Sequence, residues 1–206
     1  MLLLTGLAGC GSGAPAYPPT GVDGLQIPTV SPAPQDFVAS VDNPWFPVLP
    51  GTRWVYRTAG SPFRTTVVAA PGPVVDGVPT AMLTTTETGS APIRDYYAQD
   101  RAGNVWWFGR AGEWRAGGDV GPGLAMPAAP RRGDGYWMAD LGDVSVHGVV
   151  VDTDRAWDAR IGSTEHAVVI EVVRGSTADV ETFSPGIGMV RKGQAGLVSY
   201  TSPARS

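Results

Sequence analysis

From about Asp36 onward, apolar and polar residues alternate in short runs that are broken by Gly, Pro, Asp or Asn. Alternation with a period of two puts successive side chains on opposite faces of a strand, whereas a helix needs apolar residues three and four apart. Strands are therefore expected at Thr52–Thr58, Arg64–Ala70, Thr80–Thr88, Ile93–Gln99 and Asn104–Arg110, with a short piece at Glu113–Arg115. More follow at Val144–Asp152, His166–Arg174, Asp179–Phe183, Gly188–Lys192 and Leu197–Thr201. No stretch keeps helical spacing over three turns; Asp154 to Arg160 comes closest and is a turn or two at most. Gly117 to Gly135, with Pro122, Pro127 and Pro130, lacks strand character and predicts a long loop, either a functional flap or a poorly ordered insertion.

The clearest hairpin joins Tyr96–Gln99 to Asn104–Phe108 through Asp100, Arg101, Ala102 and Gly103. Asp at the start and Gly at the end suit a type I turn followed by a left-handed residue. The expected fold is all-β: an antiparallel, strongly curved sheet or half-barrel, with a two-sheet β-sandwich as the alternative, and few or no helices. In Val105 to Phe108 both faces are apolar, one carrying Val105 and Trp107 and the other Trp106 and Phe108. Such a strand has either core on one face and a ligand groove on the other, or a sandwich interior or covering loop on its second face. On the groove reading, Trp54, Tyr56, Tyr97 and Trp107 are the expected ligand-binding residues.

The first nine residues are apolar or small and lead through Leu7, Ala8 and Gly9 into Cys10, the only cysteine. This run resembles the lipobox of bacterial lipoproteins, in which the cysteine is lipidated and becomes the mature N-terminus. The resemblance implies that residues 1–10 are the end of a signal peptide, with Cys10 as the lipidation site. The basic region and longer apolar core of a signal peptide are missing, so the true translation start is expected upstream. Residues 11–35 hold six prolines among Gly, Ser, Thr and Ala and bury too little to repay their ordering entropy. They read as a disordered tether with a reach of roughly 80 Å, leaving residues 36–206 as a single all-β domain.

Composition narrows the function further. A formal charge of −4, with the Arg131–Arg132 doublet read as a solvated turn, gives no reason to expect nucleic acid. No segment carries the roughly 20 apolar residues of a membrane span, so lipid is the expected membrane attachment.

No nucleophile elbow, Ser-x-x-Lys pattern or zinc spacing is present, and no catalytic residue, metal or cofactor is expected. His147 is expected to face solvent and His166 to pack as an edge residue. Asp152, Asp154 and Asp158 read as an acidic surface turn in preference to a calcium loop, which would need a central Gly and a terminal Glu. Asp95 and Asp100 lie roughly 17 Å apart along one strand, too far for paired acid and base work, and are read as turn formers.

The segments Asp42–Tyr56, Asp95–Gly109, Pro122–Asp134 and Phe183–Lys192 resemble a group of uncharacterised bacterial exported proteins and lipoproteins. The shared features are a proline, aromatic and glycine opening, a tyrosine-rich hairpin ending in Trp-Phe-Gly-like residues, and a closing Pro-Gly-Ile-Gly turn. The look is similar to the curved sheets of lipoprotein carriers of the LolA and LolB type, half-barrels that hold acyl chains. Those carriers close their cavity with helices, and none of adequate length is expected here. The resulting expectation is a non-enzymatic lipoprotein, exported and anchored at the outer face of the cytoplasmic membrane, that binds a lipid or other apolar or amphipathic small molecule. A structural or protein-interaction lipoprotein with a filled core is the second reading, and a hydrolase with a dispersed site the third.

Overall fold

A computed structural model describes residues 32–142 and 144–203. Cys10 and nearly all of the expected tether lie outside the described residues. After a 3-10 turn at Pro34–Asp36 come β1 (Phe37–Val38), β2 (Arg53–Thr58), β3 (Arg64–Val75), β4 (Val78–Glu87), β5 (Ile93–Asp100), β6 (Val105–Arg110) and β7 (Trp114–Arg115). The second half supplies β8 (Gly123–Met126), β9 (Gly135–Asp140), β10 (Ser145–Ala159), β11 (Gly162–Arg174), β12 (Thr177–Ser184), β13 (Gly188–Lys192) and β14 (Ala195–Thr201).

All 14 strands belong to one antiparallel sheet with the order β7-β6-β5-β4-β3-β2-β14-β13-β12-β11-β10-β9; β1 pairs with β5, and β8 with β6. The curved all-β sheet expected from the alternation is thus what the chain forms, and the described residues contain no second sheet. Each half is a meander of hairpins, and β2 paired with β14 joins the two halves in the middle. The sheet curls until its ends meet without hydrogen bonding as a closed barrel. At that seam β8 lies against β9, and Gly123 sits so close to the carbonyl of Met138 that a Cβ there would overlap it.

Part of the outer face is covered. The β3–β4 hairpin shifts register between Pro71 and Val74, and its tip, with Val75 and Val78 buried, lies against Pro34 and Gly117. Phe37 meets Phe108 edge-on at 5.1 Å, and the Arg115 guanidinium lies over the Tyr96 ring at 5.3 Å. Both faces of β6 are therefore buried: Phe108 is covered outside, while Trp107 points into the concave side.

Two expectations need correcting. The presumed loop from Gly117 to Gly135 contains β8, whose four residues are all buried. Its Leu124 to Met126 run is only three apolar residues between Pro122 and Pro127, too short to show a period; the edge of β6 at Val105–Trp107 recruits it. Asp154 to Arg160, the best helical candidate, belongs almost entirely to β10, where Arg155 faces Ala167 and Trp157 faces Thr164. Three register shifts in that pairing disrupt the period-two signal and hide the strand.

Candidate functional site: a lumen with a charged mouth

The concave face of the sheet encloses a cavity of about 450 Å³ reached by inner-face residues of eleven strands, β2–β6 and β8–β13. Its volume lies within the roughly 300–1,000 Å³ usual for small-molecule sites. Trp54, Tyr56, Tyr97 and Trp107, the four aromatics named from the sequence, all line it. Trp54 and Tyr56 are two apart on β2, so both point inward. Each is tied by its polar tip to the chain around the start of β13, beyond β14: Trp54 Nε1 donates to the Ile187 carbonyl at 2.7 Å, and the Tyr56 hydroxyl to the Met189 carbonyl at 2.8 Å. Burial pushes the Tyr56 phenol well above its ordinary range, and Glu181 adds to the effect.

The segment before β2 closes one end. Asn43 is its anchor: its backbone N–H donates to Gln99 Oε1 at 2.7 Å, and Nδ2 donates to the Gly103 carbonyl at 2.8 Å and the Pro127 carbonyl at 3.3 Å. Its Oδ1 accepts from the Trp45 N–H at 2.8 Å. This cross-link holds Phe46 and Pro47 in the lumen as a floor, with Phe46 packed on Tyr97 at 5.0 Å and Phe183 at 6.0 Å. The β5–β6 hairpin turn supports the same end. Asp100 accepts from the Asn104 N–H at 2.9 Å and from Trp106 Nε1 at 2.8 Å, and Gly103 takes the left-handed conformation expected of it (φ +93°).

The other end is charged. Asp95 accepts from Arg110 Nε at 2.8 Å and from Trp107 Nε1 at 3.1 Å, and Arg110 also lies over the Trp107 ring at 5.4 Å. Although its own burial works in the opposite direction, the hydrogen bond and charge of Asp95 hold the Arg110 guanidinium above its ordinary pKa. Across the lumen, Lys192 meets Glu181 at 2.9 Å, and the charge of Glu181 raises the Lys192 pKa. Arg174 and Asp179 complete this rim.

The sequence reading missed these charged residues, although the signal is present. Along the inner face, steps of two residues run from charged at the mouth to apolar inside, in Asp95–Tyr97, Arg174–Val172–Ile170 and Asp179–Glu181–Phe183. Asp95, read as a turn former, is instead the acceptor that orients Trp107 and Arg110.

The histidines lie elsewhere. His147 is half-buried and sits edge-on to Trp137 at 5.8 Å, not in open solvent, because β9 extends the sheet alongside it. His166 is exposed, not packed, and its Nδ1 lies 3.0 Å from Asp154 Oδ1. The reason is that residues 162–167 pair only with β10, beyond the reach of β12. Asp152 accepts from Arg155 Nε at 3.1 Å, and Asp158 pairs in register with Ser163. Among the described residues, no three His, Cys, Asp or Glu side chains gather as a metal site would require, and no helix is long and apolar enough to cross a membrane. In comparisons with known proteins, no family model, curated protein or solved structure matched this chain.

Proposed function

We propose that this chain is an exported lipoprotein, anchored to the outer face of the cytoplasmic membrane through lipid on Cys10, whose curled sheet binds a lipid-like amphipathic ligand in its lumen. The observation that carries the reading is the polarity of one cavity: an aromatic and aliphatic interior closed at the floor by Phe46 and Pro47, and a charged mouth at the opposite end. A filled structural core would leave no such volume, because protein interiors pack to about the density of organic crystals. The hydrolase reading draws no support from the histidines, neither of which lines the cavity.

The two halves of the proposal have separate tests. Labelled fatty acid should enter the wild-type chain and not Cys10→Ala, and the variant should leave the envelope fraction; equal retention of the two forms would refute the anchor. Native mass spectrometry of the Cys10→Ala chain, purified from its host without detergent, should show an added mass of lipid size that disappears after organic extraction. A bare protein mass, together with no uptake of added amphiphile, would refute the ligand.

A further inference from the structure

Not every charge at the mouth sits in an ion pair. Asp95 is occupied by Arg110 at 2.8 Å and Glu181 by Lys192 at 2.9 Å. Asp179 accepts from the Val180 N–H at 3.0 Å, and its charge also acts on Lys192. Arg174, the last residue of β11, lines the mouth with no carboxylate in salt-bridge range among the described residues. Within the lumen, the Tyr97 hydroxyl is likewise unpartnered among the described residues, whereas Tyr56 and Tyr200 each donate to a backbone carbonyl. Burial, and then the charge of Asp95, keep Tyr97 protonated far above the usual phenol range, and the charge of Arg174 acts on the same hydroxyl. The cavity thus offers a planar cation at its mouth and a neutral O–H donor in its wall, neither of them committed. The carboxylates that could receive a cationic head already accept hydrogen bonds.

Building on the lipid-cavity reading, we infer that the ligand is a single-chain amphiphile with an anionic head, a carboxylate or phosphate, bound between the Arg174 guanidinium and the Tyr97 hydroxyl with its chain on the Phe46 floor. A guanidinium fork matches both oxyanions with two parallel hydrogen bonds. A cavity of about 450 Å³ is near the lower end of the range for small-molecule sites and suits one chain better than two.

The test uses the full Cys10→Ala chain after organic extraction and refolding, titrated with dodecanoate, dodecyl phosphate, dodecanol and dodecyltrimethylammonium. Quenching of tryptophan emission reports occupancy, because Trp54 and Trp107 line the lumen. At least one of the two anions should bind about tenfold more tightly than the alcohol or the cation, and which of them binds better identifies the head. Arg174→Gln should remove the preference by lowering anion affinity to about that of dodecanol, and Arg174→Glu should shift it toward the cation. Tyr97→Phe, which keeps the ring on Phe46, should weaken the anions about threefold and dodecanol by less. Equal affinity for dodecanol and both anions, or an Arg174→Gln chain that keeps its preference, would overturn the anionic head while leaving the lipid cavity in place. Failure of all four compounds to bind would overturn the cavity reading itself.

Discussion

Replacing Asp95 by Asn tests how the charged mouth is held together. The carboxylate is buried to 10% exposure and accepts three hydrogen bonds, from Arg110 Nε at 2.8 Å, Arg110 Nη2 at 3.2 Å and Trp107 Nε1 at 3.1 Å. An amide of the same shape keeps one acceptor oxygen and turns an NH₂ donor toward donors. Hydrogen bonds to charged groups contribute about 1.5–3 kcal/mol. Arg110 is 21% exposed and has Glu113 at 3.8 Å as an alternative partner, so the loss belongs near the low end, about 2 kcal/mol. For a folded body of this size that lowers the thermal midpoint by roughly 4–8 °C. Urea unfolding of Asp95→Asn, Arg110→Met and the double variant should also show coupling. The double variant should lose less than the sum of the singles, by about 1 kcal/mol, because no charge is then left buried without its partner. If Asp95→Asn stays within about 0.5 kcal/mol of wild type, or the two losses simply add, the pair does not hold the mouth.

Gly123→Ala should cost at least about 2 kcal/mol in urea unfolding, because its Cβ meets the backbone of Met138 and not a movable side chain; near-neutrality would mean that the β8–β9 seam is loose. Tyr136 has a fully buried hydroxyl with no partner, so Tyr136→Phe should be neutral or stabilise by up to about 1 kcal/mol, and a loss larger than that would reveal an unrecognised hydrogen bond. Burial raises the phenol pKa of Tyr56, Tyr97 and Tyr136. Above pH of about 10 the unfolded chain sheds these protons while the folded one keeps them. Stability is thus fully present below pH 10 and should then fall by up to about 4 kcal/mol per pH unit for three protons. The tyrosinate absorbance of these three should appear together with unfolding; their gradual ionisation in a chain that stays folded would contradict the burial.

Much of this architecture was legible in the chain itself. Period-two alternation and punctuation by Gly, Pro and Asp marked eleven of the 14 strands, Gly188–Lys192 to the residue. The strands that escaped, β1, β8 and β9, are two to six residues long, and β1 and β8 in particular form because an existing edge offers hydrogen bonds. Local pattern also grouped Trp54, Tyr56, Tyr97 and Trp107, because two faces of alternating residues are a property of each strand alone. Whether a face is concave, and whether it is filled, is not such a property. Closure depends on curvature accumulated over a dozen strands and on register shifts such as the one between Tyr96 and Tyr97, which lets Trp107 and Arg110 share the inner surface. The mouth joins Asp95 to Arg110 across 15 positions and sets them opposite Arg174 and Lys192 from the other half of the sheet. No spacing along the chain encodes that meeting. It exists because the sheet bends until its two ends touch at Gly123 and Met138, and only the folded molecule decides that the space left inside is a cavity and not a packed core.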